Sequence, residues 1–139
     1  MADIHDRATR SFNMSQIKGK NTTPEILVRK FLFSKGFRYR IHDKKLPGKP
    51  DIVLPKYKTV IFVNGCFWHG HEGCKYFTIP KTRTAWWQNK IMGNQARDKA
   101  NVDVLENDNW QVLVLWSCDL KPVKINATLD QLESLIRNQ

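Results

Sequence analysis

Acidic residues are scarce in this chain: 13 Asp and Glu stand against 23 Lys and Arg, giving a formal charge of +10 and an isoelectric point near 9.7. That deficit excludes a cationic partner and suits a polyanion, nucleic acid before other acidic surfaces. Long hydrophobic runs are missing as well. The longest, Val60 to Val63 and Val112 to Trp116, hold four or five residues, whereas a membrane span needs about 20. No membrane association is expected. Cysteine is rare and odd in number, at three, which argues against a disulfide framework and leaves metal ligation or simple burial. Met1 to Arg7 contain no apolar run ending in a small-residue cleavage site, so the expectation is a cytoplasmic protein. No internal repeat is visible.

What is present fits one globular domain. The 139 residues are 41% hydrophobic and 26% charged, the balance of a chain that buries a single core, so residues 1–139 are read as one domain. The excess positive charge lies at the front: residues 1–50 carry 12 Lys and Arg against 4 acids, the rest 11 against 9. Residues 1–21 are polar, basic and without a sustained period, and read as an arm preceding the folded body.

The folded body opens with a helix. Thr23 before Pro24 supplies a cap and a favoured first-turn residue, Leu27, Val28, Phe31 and Leu32 form one apolar face, and Gly36 ends it. Residues 37–42 alternate apolar and polar, as in a half-buried strand. After the LPGKP turn, residues 51–54 and 59–63 give two more strands, completing a meander. Residues 85–108 predict a helix, 110–116 a strand buried on both sides, and Leu129, Leu132, Leu135 and Ile136 a closing amphipathic helix. The fold class is therefore α/β, with a central sheet of about four strands flanked by helices.

Between Asn64 and Thr84 the regular period disappears while Cys, His, Trp and Phe accumulate. Cys66, His69, His71 and Cys74 fall within nine residues, and Cys118 follows the last predicted strand. Zinc takes four nitrogen or sulfur donors in a tetrahedron. Five candidates compete for those four places, which leaves one histidine free for proton transfer near neutral pH. Asp51, opening the second strand, is suited to hold magnesium beside a phosphodiester, with a carbonyl at Val63 as a neighbouring oxygen. Glu25 has two readings: with Thr22 it satisfies a capping box, or it points at the site and orients a histidine. Phe67, Trp68, Trp86 and Trp87 are either core or wedges for a DNA base step.

Four segments together resemble one family: MADIHDRATRSFNMSQI at the start, LPGKPDIV (46–53), VIFVNGCFWHGHEGC (60–74) and Thr82-Arg83-Thr84, with Cys118 beyond. The chain resembles the very-short-patch mismatch repair endonucleases over nearly its whole length. The resemblance implies a restriction-endonuclease-like core and a magnesium-dependent bacterial enzyme, cytoplasmic and acting at the nucleoid. That enzyme nicks one strand of double-stranded DNA 5′ of the thymine in a T:G mismatch, which starts repair of deaminated 5-methylcytosine. It implies magnesium on Asp51 and the Val63 carbonyl, catalysis by Asp51 and His69 assisted by Glu25 and Asp98, and structural zinc on Cys66, His71, Cys74 and Cys118. Phe67, Trp68 and Trp87 would intercalate, and Met14, Lys18, Arg83 and Asn94 would contact DNA. A monomer is expected, with mismatch-repair proteins such as MutL as further partners.

Two positions depart from the family pattern. Val63 stands where a polar residue is frequent and Asn64 where His is common, so only a backbone role transfers at 63. The third strand also lacks the acid-x-lysine pair usual in restriction-endonuclease folds. The alternatives are a zinc-stabilised DNA-binding module without catalysis and a restriction-type nuclease cutting paired duplex.

Overall fold

A computed structural model describes residues 22–139; the arm, with Met14 and Lys18, lies outside the described residues. The elements are α1 (Thr23–Ser34), β1 (Arg40–Ile41), β2 (Ile52–Leu54), β3 (Thr59–Asn64), α2 (Thr84–Asn107), β4 (Gln111–Trp116) and α3 (Ile125–Arg137). Short 3₁₀ turns follow β2 and β4. The strands form one mixed sheet in the order β1-β2-β3-β4. β1, β2 and β3 pair antiparallel, and β3 pairs parallel with β4.

Period-two alternation divides the core into two. Ile52, Leu54 and Ile61 face one way and pack with Val28 and Leu32 of α1 and with Leu129, Leu132 and Ile136 of α3. Val53 and Val60 face the other way and meet Leu105 of α2, with Trp110 and Val112 against them. Three layers result, α1 and α3 below the sheet and α2 above it, which is the expected α/β arrangement with a four-stranded mixed sheet. Among the described residues, no helix is long and apolar enough to cross a membrane.

Several local expectations need correction. The cap of α1 is Thr22, not Thr23, and its side chain makes no capping hydrogen bond. The predicted strand 37–42 shrinks to two exposed residues. Phe37 is instead drawn into the core, its N–H bonded to the Leu32 carbonyl at 3.0 Å, and His42 turns into the left-handed region at φ 49°. β4 is an edge strand, half-covered rather than buried on both sides, with Val114 38% exposed. Leu27 and Leu135, assigned to apolar faces, are exposed.

Parallel pairing positions the functional region. Asn64 and Trp116 are partners at the carboxyl ends of β3 and β4, so the chain leaves both strands side by side, with Cys66 and Cys118 two residues further on in each.

Candidate functional site

A cysteine and histidine cluster sits where β3 and β4 end. Cys66, His71, Cys74 and Cys118 bring their donor atoms within 4.8 Å of one another. The His71 ring lies flat on Trp116, centroids 4.1 Å apart and planes 3° from parallel, with Nδ1 3.5 Å from the Cys118 sulfur. Ser117 braces the same place: it accepts the Cys66 N–H and donates its hydroxyl to the Cys66 sulfur, both at 3.3 Å.

The thiols respond to one another. Burial alone would raise Cys66, but hydrogen bonds from Ser117, the Cys118 backbone, His71 and Cys118 outweigh it and bring the thiol down to about 7. Cys118 is pushed up to about 12 by burial and by the neighbouring Cys66 and Cys74. One thiolate thus suppresses the next, a conflict that a divalent cation removes. The four residues can hold a metal ion.

His69 lies outside that donor group. Its Nδ1 is 2.6 Å from the Asp98 carboxylate of α2. An ionised carboxylate only accepts, so this contact puts the proton on Nδ1 and leaves the Nε2 lone pair available. The loop is seated by α2 at two further points. The Asn94 amide donates to the Trp68 carbonyl at 2.7 Å, and Gln95 donates to the Gly70 carbonyl at 2.8 Å. Gly70 has φ +63°, and a side chain there would run into Gln95 and Ile91. Asn94, expected at the DNA, therefore has its amide turned to the protein, and Arg97 donates to its Oδ1.

Asp51 enters the same cleft from the head of β2. The cleft is about 730 Å³, and Asp51, Val63, His69 and Asp98 line it together with Lys49 and Lys90. The Val63 N–H donates to Asp51 Oδ2 at 2.7 Å. A strand residue directs its N–H and C=O to the same edge, so the Val63 carbonyl leaves β3 on Asp51's side. Burial raises the Asp51 carboxyl from its ordinary 3.8 to about 6. The Val63 hydrogen bond and the positive ends of His42 and His69 oppose that rise, and the Glu25 charge adds to it.

Glu25, 1% exposed, is the most deeply buried acid of the region. It does not close a capping box with Thr22. Its Oε2 meets His42 Nε2 at 2.7 Å and Arg29 Nη1 at 3.2 Å. Sequence reasoning missed His42. The signal was the β1–β2 register: Ile41 pairs with Ile52, which sets His42 opposite Asp51, and the His42 N–H bonds the Asp51 carbonyl at 3.1 Å. Glu25, His42 and Asp51 form a second group of donor atoms within 4.8 Å of one another.

The aromatics form one stack on the loop and the start of α2. Trp87 is its hub, 5.3 Å from Phe67, 5.8 Å from Trp68 and 4.9 Å from Trp86 between centroids. Trp68 and Trp86 are outermost, 41% and 46% exposed, and the Arg83 guanidinium covers Trp86 at 4.7 Å. An exposed aromatic shelf beside a cleft with basic walls suits a nucleic acid.

The model of the family described as DNA mismatch endonuclease Vsr matches residues 2–75. The chain belongs to the Vsr family of DNA mismatch endonucleases. Its relatives extend the match beyond that segment. It is 54% identical over 121 residues to the type II nicking enzyme V.NmeAIP of Neisseria meningitidis, spanning 87% of this chain and 86% of that one. It is 44% identical over 138 residues to the type II nicking enzyme V.XorIIP of Xanthomonas oryzae pv. oryzae, covering 99% and 96%. It is also 44% identical over 121 residues to the DNA mismatch endonuclease Vsr of Escherichia coli, covering 87% and 77%. This Vsr-family chain is a DNA endonuclease, and the reading as a binding module without catalysis gives way.

Proposed function

We propose that this endonuclease nicks one strand of duplex DNA 5′ of the thymine in a T:G mismatch, using magnesium, as a monomer built from one restriction-endonuclease-like domain over residues 1–139. The observation that carries the reading is the meeting of Asp51, the Val63 carbonyl edge and the Asp98-held His69 in one cleft. The name nicking enzyme on two relatives favours a single-strand cut over cleavage of both strands.

Asp51 and the Val63 carbonyl are the oxygen donors that would hold magnesium, the hard donors that ion takes. When bound, the ion supplies charge neutralisation at the scissile phosphate. His69 exchanges a proton at Nε2 with the attacking water or the leaving oxygen, because Asp98 fixes Nδ1. Lys49 and Lys90 supply positive charge on the cleft walls, where the acid-x-lysine pair of other nucleases is missing. Zinc is the ion the Cys66, His71, Cys74 and Cys118 set fits best, two or more thiolates with one imidazole, and it would tie the loop to the ends of β3 and β4. Phe67, Trp68 and Trp87 form the wedge, and the arm with Met14 and Lys18, together with Arg83, engages the backbone. A mispaired step opens at lower cost than a paired one, so the wedge reads deformability. MutL-like partners and action at the bacterial nucleoid belong to the same proposal.

A strand-labelled duplex on a denaturing gel tests it. With magnesium, a T:G duplex should yield one cut on one strand and a T:A duplex none, and Asp51→Asn should abolish the cut while DNA binding persists. Equal cutting of both duplexes, or an unchanged cut by the variant, overturns the proposal.

A further inference from the structure

The Glu25, His42 and Asp51 cluster has more donors than a magnesium site on one carboxylate requires. Three separate elements supply it: the first turn of α1, the residue after β1 and the residue before β2. The His42 backbone is held left-handed at φ 49°, and its N–H is fastened to the Asp51 carbonyl. That double constraint keeps the imidazole over the Asp51 carboxylate, with the side chain only 19% exposed. Arg29 on Glu25 and the Val63 N–H on Asp51 orient the two acids from behind, as outer partners do in metal sites.

We infer that His42 Nε2 is a third side-chain ligand, with Asp51 and Glu25, for the divalent cation of the cleft, and that this nitrogen shifts the preference of the site from magnesium towards manganese and its neighbours. Magnesium takes oxygen donors almost exclusively. An imidazole in the ligand set favours first-row transition ions, while the two carboxylates keep the site acceptable to manganese. On binding, the cation takes the place of hydrogen at Nε2, and the ligating neutral ring carries its single proton on Nδ1. The inference rests on the reading of Asp51 as the cation-binding carboxylate.

The test uses the full chain purified with its cysteine site loaded, titrated with Mn²⁺ and then with Mg²⁺, and examined by pulsed electron paramagnetic resonance of the Mn²⁺ form. Wild type should show nitrogen coupling to Mn²⁺. His42→Asn should lose that coupling and bind Mn²⁺ at least ~10-fold more weakly, with Mg²⁺ affinity changed far less. Asn tolerates the left-handed backbone, and His42→Gln, which can still donate to Glu25, provides a second variant if the first does not fold. His69→Ala should keep the coupling. Absence of coupling in wild type, or its persistence in both His42 variants, overturns the inference. If Asp51→Asn binds Mn²⁺ as tightly as wild type, the failure lies with the magnesium site proposed above.

Discussion

Asp98 holds His69 by Nδ1 at 2.6 Å, from a helix that begins 15 residues after the histidine in the chain. This pairing selects the tautomer with Nε2 facing the cleft. Asp98→Asn should therefore lower the nicking rate by roughly 10²-fold, short of the ~10³-fold loss expected for His69→Ala. DNA affinity should hold steady in both. Single-turnover rates beside gel-shift titrations check the split, and equal losses of rate and affinity would assign Asp98 to DNA binding instead.

Asp51 has a stability consequence opposite in sign to its catalytic one. Burial raises its carboxyl from 3.8 to about 6, so the folded protein holds a proton that the unfolded chain has released. The resulting stability is fully present below pH 3.8, falls as pH rises through 6, and amounts to about 3 kcal/mol at most. Without added divalent cations, Asp51→Asn should melt higher than wild type at pH 7.5. The gap should close as the pH falls below 5. Thermal melts at both pH values check it, and a variant that melts lower than wild type at pH 7.5 would contradict the burial argument.

The cysteine cluster should behave as a folding element. Cys118→Ser removes one donor, and zinc content should drop from about one ion per chain to near none, with the melting temperature lowered by ~10 °C or more. Metal analysis and calorimetry on the same sample check this. Full zinc retention would exclude Cys118 from the ligand set.

Trp68 and Trp87 should separate by role. Trp68, outermost on the shelf, should cost mismatch discrimination: Trp68→Ala lowers the T:G to T:A nicking ratio by ~10-fold with little change in melting. Trp87, which touches Phe67, Trp68 and Trp86, should cost discrimination and stability together. An unchanged ratio in Trp68→Ala would remove the wedge from recognition.

Local chemistry was readable along the chain, and spatial pairing was not. The short continuous apolar runs at 52–54 and 59–63 announced strands because β2 and β3 are central and face a helix layer on each side. β4 has an equally apolar sequence but lies at an edge, and nothing in Val112 to Trp116 encodes how many neighbours it has. Spacing and a strand end narrowed the metal donors to five candidates, and the fold brings Cys66, His71, Cys74 and Cys118 together with His69 outside the group. His42 was not foreseeable, since its meaning arises only when the β1–β2 register sets it against Asp51 and α1 brings Glu25 over both. The Asn94 amide is likewise committed only in space, to the Trp68 carbonyl 26 positions earlier.

The parallel pairing of β3 with β4 also makes the cleft a product of contacts that are distant along the chain. Cys66 and Ser117 are 51 positions apart, so the neighbourhood of the cleft assembles only after that long segment has closed, a slow event for a growing polypeptide. A ribosome-bound chain that has emerged only as far as α2 carries every proposed catalytic side chain and lacks Cys118 to anchor the loop bearing His69.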